Sequence, residues 1–116
     1  LNMLQQYTLY LSGTSIYNIC PAKMFEIMAS GGILVTNSDI EGDKGWGLKE
    51  LFPEDSLLTY NCSDYSDLIP NVSRMLENKD LREHTREVAL KTIQTRHTHD
   101  IRIRQITNTL KKEFNL

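Results

Sequence analysis

The sequence lacks the hallmarks of several protein classes. Its 116 residues include two cysteines, Cys20 and Cys62, too few for a disulfide framework, which favours a reducing setting. No apolar run reaches the roughly 18 residues that a transmembrane helix needs. The first residues have neither the basic nor the long apolar region of a signal peptide. With 13 basic and 15 acidic residues, the chain also lacks the positive charge typical of nucleic-acid-binding proteins.

The composition is that of an ordinary globular domain. Hydrophobic residues make up 40% of the chain and charged residues 24%, which excludes disorder of the whole chain. The length is typical of one domain. The chain starts with Leu1 and Leu4 spaced like the last turn of a helix. We therefore expect a fragment of a longer protein that forms one truncated domain over residues 1–116.

The apolar pattern predicts alternating strands and helices. An aromatic and aliphatic strand over residues 7–11 precedes a helix over residues 21–30, which Gly31 and Gly32 end. A continuous apolar strand over residues 33–35 follows, as expected for a strand covered on both faces. Further along we predict a loop at 37–47, a helical turn at 48–52, a strand at 56–60 and helices at 64–77, about 80–96 and 98–116. This order predicts an α/β fold with a parallel, Rossmann-like sheet.

The last three predicted helices differ in their apolar faces. The first has Leu68, Val72, Met75 and Leu76 on one side, and Asn78 or Asp80 caps the second, with Glu83 at capping-box spacing from Asp80. In the last helix, Ile103, Ile106, Leu110 and Phe114 form a stripe that needs an apolar partner. We predict that this C-terminal helix pairs two copies as a two-fold dimer.

Two residues of the helix over 21–30 are candidates for ligand binding. The helix N-terminus favours anions, and Lys23 in its first turn is either a phosphate contact or a solvated lysine. Glu26 lies in the apolar run Met-Phe-Glu-Ile-Met. Its carboxylate could accept hydrogen bonds from a ligand diol, pair with Lys23, or lie exposed.

Several segments in order resemble one enzyme family. The sequence from Pro21 to Thr36, PAKMFEIMASGGILVT, resembles the donor-site signature of group-1 GT-B glycosyltransferases, closest to the branch that includes spore maturation protein CgeB. The family's later motifs are similar to GLKELF at 47–52, to residues 60–67, to NKDLRE at 78–83 and to HTHDIR at 97–102. Each motif is weak alone, but the ordered set is fairly specific.

The resemblance implies a C-terminal, donor-binding GT-B domain that transfers sugar from a nucleotide-diphosphate sugar to an acceptor. In this interpretation Glu26 binds the donor ribose and Lys23 approaches the diphosphate, while Ser15, Tyr17 and Asn18 complete the donor site. Asn18 stands where many members have a second glutamate. The resemblance also implies an N-terminal domain with the acceptor site, which the terminal helix can reach, and a structural role for His97. From the residues themselves we expect no metal or other cofactor and a cytoplasmic protein, with a peripheral location at the membrane as the alternative.

Three other functions remain open at this point. The chain could belong to a nucleotide-sugar epimerase of the same fold, to a non-catalytic nucleotide-sugar-binding module, or to a flavodoxin-like regulatory domain, although no acidic pocket is evident. A metal site at His97, His99 and Asp100 is disfavoured because no fourth ligand is evident. We expect both cysteines to be small buried hydrophobic residues.

Overall fold

The computed structural model describes residues 6–14, 19–38 and 47–116, which form a three-stranded parallel sheet flanked by helices. The strands are β1 (Leu9–Leu11), β2 (Ile33–Asn37) and β3 (Leu58–Tyr60). The helices are α1 (Ala22–Ala29), α2 (Leu48–Leu51), α3 (Leu68–Glu77), α4 (Lys79–Arg96) and α5 (His99–Phe114), with a 3-10 turn at Glu54–Ser56. This architecture confirms the predicted α/β, Rossmann-like fold and its order of elements.

The central strand β2 divides the core into two apolar clusters. All five of its residues are buried, which explains why its sequence is a continuous apolar run rather than an alternating one. Leu34 faces the cluster that includes Met24 and Ile27 of α1 and Ala89 and Ile93 of α4. Ile33 and Val35 face the opposite cluster, with Leu58 and Tyr60 of β3 and Met75 of α3.

The turn between α1 and β2 depends on two glycines for different reasons. Gly31 has a φ of 84°, the left-handed conformation that ends many helices and that side chains disfavour. Gly32 is needed for space, because a Cβ there would lie 2.9 Å from Cδ2 of Tyr10 and 3.2 Å from Cγ2 of Ile27. The pair therefore both ends the helix and lets β2 run directly beneath it.

Helices α3 and α4 differ from the prediction in three details. Helix α3 begins at Leu68 rather than residue 64, because the carboxylate of Asp64 instead accepts hydrogen bonds from Ser66 in a preceding turn. Met75 is 2% exposed but Leu76 is 50% exposed, so only Met75 of the two belongs to the core. The cap of α4 is Asn78, whose side chain accepts from the backbone N–H of Leu81 at 3.0 Å, and Asp80 does not form the predicted capping box.

The C-terminal helix α5 begins where predicted but contributes no buried side chain. Thr98 caps it by accepting from the backbone N–H of Ile101 at 3.4 Å. The predicted stripe is exposed, with fractions of 47–67% for Ile103, Ile106, Leu110 and Phe114. The stripe thus does not fold onto the chain's own core, and its pairing with a second copy stays a prediction.

The cysteines are not equivalent. Cys20 is partly buried, and this burial raises the pKa of its thiol to about 11. Cys62 is exposed in the turn after β3, so its predicted burial is wrong.

Among the described residues, no helix is both long and apolar enough to cross a membrane.

Candidate functional site

The carboxyl ends of the three strands form the edge at which ligands bind in open parallel sheets. Here the side chain of Asn37, at the end of β2, reaches Thr14, which follows β1. Its Oδ1 accepts from the backbone N–H of Thr14 at 2.9 Å, and its Nδ2 donates to the Thr14 hydroxyl at 2.8 Å. Both residues are buried, so this pair holds the chain that leaves β1 against the end of β2.

The connection from β1 to α1 is closed by a backbone hydrogen bond. The N–H of Ile19 donates to the carbonyl oxygen of Thr14 at 3.0 Å, and Pro21 precedes the first residue of α1. The predicted donor-site residues Ser15, Tyr17 and Asn18 lie outside the described residues. The hydrogen bond between Ile19 and Thr14 nevertheless holds the end of β1 close to the start of α1.

Helix α1 has one face in the core and one in solvent. Met24, Ile27 and Met28 are at most 1% exposed and hold the helix against β2 and α4. The solvent face carries four residues, of which two are charged: Ala22, Lys23, Glu26 and Ala29. Because residues three and four apart are neighbours on a helix, the two alanines flank Glu26 along this face. The carboxylate therefore projects from a rigid helix between two small side chains.

Of the three environments predicted for Glu26, the structure shows the exposed one. Among the described residues, Glu26 makes no ion pair with Lys23. The two charged side chains share the open face of α1 without neutralising each other. Beside Glu26 in the sequence, Phe25 is half-buried, and Met28 two positions later is fully buried.

Phe25 connects the candidate site to a histidine at the end of α4. Its ring centroid is 5.1 Å from that of His97 and 5.2 Å from that of Phe52. The Nε2 of His97 lies 2.8 Å from the carbonyl oxygen of Leu51 and its Nδ1 lies 2.7 Å from the Arg102 guanidinium. A carbonyl can only accept and a guanidinium can only donate, so His97 is neutral with its proton on Nε2.

Both ring nitrogens of His97 are therefore in use, which leaves none for the His97–His99–Asp100 metal site. Burial lowers the pKa of His97, and the positive charges of Arg102 and Arg96 lower it further. Within residues 6–14, 19–38 and 47–116, no three metal-ligating side chains come together. The histidine instead packs between α1, α2 and the start of α5.

Sequence reasoning missed the polar residues at the end of β2. Asn37 anchors Thr14, and the hydroxyl of Thr36 is buried without a hydrogen-bond partner among the described residues. Buried hydroxyls normally have partners, which makes Thr36 an unusual residue at this edge. The signal was available, since Thr36 and Asn37 directly follow the apolar run of β2 at the edge where ligands bind.

Comparison with protein-family models decides the family. Residues 2–108, from before β1 into α5, match the model of a family described as glycosyl transferase-like. The chain belongs to this glycosyl transferase-like family. No curated protein and no solved structure matches it. The part of this glycosyltransferase domain that matches contains α1 with Lys23 and Glu26, the carboxyl edge of the sheet, and the segment 15–18.

Proposed function

We propose that the chain is the C-terminal, donor-binding domain of a GT-B glycosyltransferase of the CgeB-like branch, which transfers a sugar from a nucleotide-diphosphate sugar to an acceptor. Family membership supports a transferase in the full-length protein. The observation that carries the finer proposal is Glu26, an exposed carboxylate that has no ion-pair partner among the described residues and lies on a helix whose other face is buried in the core.

The chemistry of Glu26 suits a ribose. A carboxylate only accepts hydrogen bonds, and its two oxygens match the two hydroxyl groups of a vicinal diol. Hydrogen bonds to a charged group are about twice as strong as neutral ones. Ala22 and Ala29 on either side leave room for a ring to approach the helix.

The start of α1 suits the diphosphate. The first amides of a helix have no partner within the helix, and they favour negative charge. Lys23 in the first turn is unfavourable for the isolated helix for the same reason, so an anion bound there would stabilise it. Together the amides and Lys23 would stabilise the charge that develops on the leaving diphosphate. We place the acceptor site on a separate N-terminal domain, so the 116-residue chain alone binds donor without transferring sugar.

Nucleotide titration tests this proposal. Uridine or guanosine diphosphate added to the 116-residue chain should shift the backbone amide signals of residues 15–26. Glu26→Gln should weaken binding about tenfold or more, because it removes a charge-assisted pair of hydrogen bonds. The matched control is Glu87→Gln, which removes an exposed carboxylate from α4 and should leave affinity unchanged. Equal affinities for both variants, or shifts confined to other elements, would contradict the donor site.

One sequence feature favours a second candidate, a nucleotide-sugar-binding module without transfer activity. Asn18 cannot supply the negative charge of the glutamate that many members of the resembled family have at that position. The two candidates separate in the full-length protein. A transferase converts donor in the presence of acceptor, and Glu26→Gln lowers that rate, whereas a binding module retains donor affinity with no turnover.

A further inference from the structure

Arg102, in the first turn of α5, lies close to the first half of α1. Its Nη2 donates to Nδ1 of His97 at 2.7 Å, and the His97 ring packs edge-on against Phe25 of α1, with 5.1 Å between the ring centroids. Burial raises the pKa of the Cys20 thiol, and the positive charge of Arg102 partly offsets this rise. Because Cys20 stands two residues before the first residue of α1, a cation from α5 is held near the start of this helix.

The guanidinium of Arg102 is incompletely paired. It has five N–H donors, and the structure gives it two acceptors, Nδ1 of His97 and Oε1 of Gln105 at 3.2 Å, both of them neutral. Within the described part of the chain, no carboxylate lies at ion-pair distance from Arg102. The side chain is also half-buried, and burial of a charge is costly unless an opposite charge compensates it. An anion would supply both the acceptors and the charge.

A buried hydroxyl without a partner lies under the same helix start. Side chains of a strand alternate between the faces of the sheet, so Thr36 lies on the face of Leu34, which packs against α1. Helix α1 runs back from the end of β1 to the start of β2, so it begins above the end of β2, where Thr36 lies. The Thr36 hydroxyl has no hydrogen-bond partner in the residues that the structure describes. Buried hydroxyls normally have one, so this observation indicates a polar site independently of Arg102.

We propose that Arg102 is a phosphate-binding residue of the donor site, on the opposite side of α1 from Lys23. Lys23 and Phe25 are two positions apart and thus about 200° apart around the helix. Arg102 approaches α1 on the Phe25 side, through His97. The two cations therefore flank the helix start, as suits a diphosphate with charge on both phosphate groups, and a guanidinium matches phosphate oxygens in geometry. This inference rests on the proposed function and adds a residue to its site.

Titration with inorganic pyrophosphate tests Arg102 apart from the rest of the donor, because this probe has neither ribose nor base. Added to the 116-residue chain, it should shift the side-chain Nε–H signal of Arg102 and the backbone amide signals at the start of α1. Arg102→Gln should weaken pyrophosphate binding about tenfold or more, because it removes charge-assisted hydrogen bonds. Its matched control is Arg104→Gln, at an exposed arginine two positions later in α5, which should bind like the unmodified chain.

A second variant separates phosphate binding from a purely structural role. Arg102→Lys keeps the positive charge but loses the planar fork of donors, so it should retain more pyrophosphate affinity than Arg102→Gln. Urea denaturation of both variants measures the support that Arg102 gives to His97. Lower urea midpoints in both variants, together with unchanged pyrophosphate affinity, would overturn the proposal and leave Arg102 a structural residue.

The remaining outcomes distinguish this proposal from the donor site as a whole. If pyrophosphate binding depends on Arg102 while nucleotide affinity is unchanged by Glu26→Gln, the role of Arg102 is supported and the ribose site fails. If nucleotide binding depends on Glu26 while Arg102→Gln and Arg104→Gln bind pyrophosphate equally, the role of Arg102 alone is overturned. If pyrophosphate does not bind at all, both the role of Arg102 and the diphosphate site at α1 are overturned.

Discussion

Helices α1 and α5 both carry apolar side chains at helical spacing, but only α1 uses them to form the core. Met24, Ile27 and Met28 of α1 lie between β2 and the second half of α4. The stripe residues of α5 have no such neighbours, because α5 follows the last helix that packs on the sheet and contacts α4. Helical periodicity thus identifies an apolar face, but the elements around it determine what covers that face.

The polar faces of α1 and α5 also differ. On α1, the buried Met24, Ile27 and Met28 attach to the core the helix backbone that carries Lys23 and Glu26. On α5, the basic residues accompany a stripe with no attachment to the domain. Small-molecule binding is therefore proposed for α1, whereas α5 carries an apolar stripe that the described residues leave exposed.

Truncation of an apolar side chain to alanine should show the clearest difference between α1 and α5 in its effect on the free energy of unfolding. Met28→Ala should lower the free energy of unfolding by about 2–5 kcal/mol, because it removes a fully buried side chain and leaves a cavity. Ile106→Ala should change it by no more than about 0.5 kcal/mol, as is usual for exposed positions. Urea denaturation of both variants measures the difference. A comparable loss in Ile106→Ala would mean that the stripe of α5 is buried in solution.

The turn that attaches α1 to β2 should be the next most sensitive place. Gly32→Ala should cost about 1–3 kcal/mol, because the new methyl group would overlap the Tyr10 ring and press on Ile27. Ser30→Ala, two residues earlier, adds no atoms and loses one hydrogen bond to the carbonyl oxygen of Ile27, so its cost should be about 1 kcal/mol. If Gly32→Ala is the milder of the two in urea denaturation, the ring of Tyr10 moves aside at little cost.

Most of the fold could be predicted because its signals are local. The apolar run of β2, the glycine pair after α1 and the apolar spacing within α3 and α5 each depend on residues near one another in the sequence. The errors came from competing local hydrogen bonds. Asp64 forms a turn with Ser66 instead of starting α3. Of the two predicted caps of α4, Asn78 is confirmed, and the capping box of Asp80 with Glu83 is not formed.

The candidate site was less accessible to sequence reasoning. The sequence indicated Lys23 and Glu26 as a pair of interest, but only the fold shows that they share the open face of α1 without pairing. The Asn37–Thr14 pair and the contacts of His97 with Leu51 join residues that are 23 and 46 positions apart. Hydrogen bonds over such separations depend on strand register and helix packing, which no single segment encodes.

The smallest expected effect is at His97, whose ring contacts Phe25 of α1 and Arg102 of α5. The folded state binds a proton on this residue less readily than the unfolded chain, because burial and then Arg102 and Arg96 lower its pKa below the ordinary value of 6.5. The unfolded state therefore gains protons first as the pH falls below 6.5, and the free energy of unfolding decreases. Above 6.5 the contribution of neutral His97 is fully present.

Protonation of Nδ1 would also replace the hydrogen bond from Arg102 with repulsion between two cations, which loosens Arg102 of α5 from the His97 ring that packs on Phe25. Urea midpoints measured from pH 8 to pH 5 should therefore fall less steeply in His97→Asn than in the unmodified chain. His99→Asn, which removes an exposed histidine two residues later, should keep the original slope. Identical slopes in all three proteins would mean that His97 is no more reluctant to take up a proton when folded than when unfolded. In that case its ring would not link α1 to α5 as a neutral acceptor.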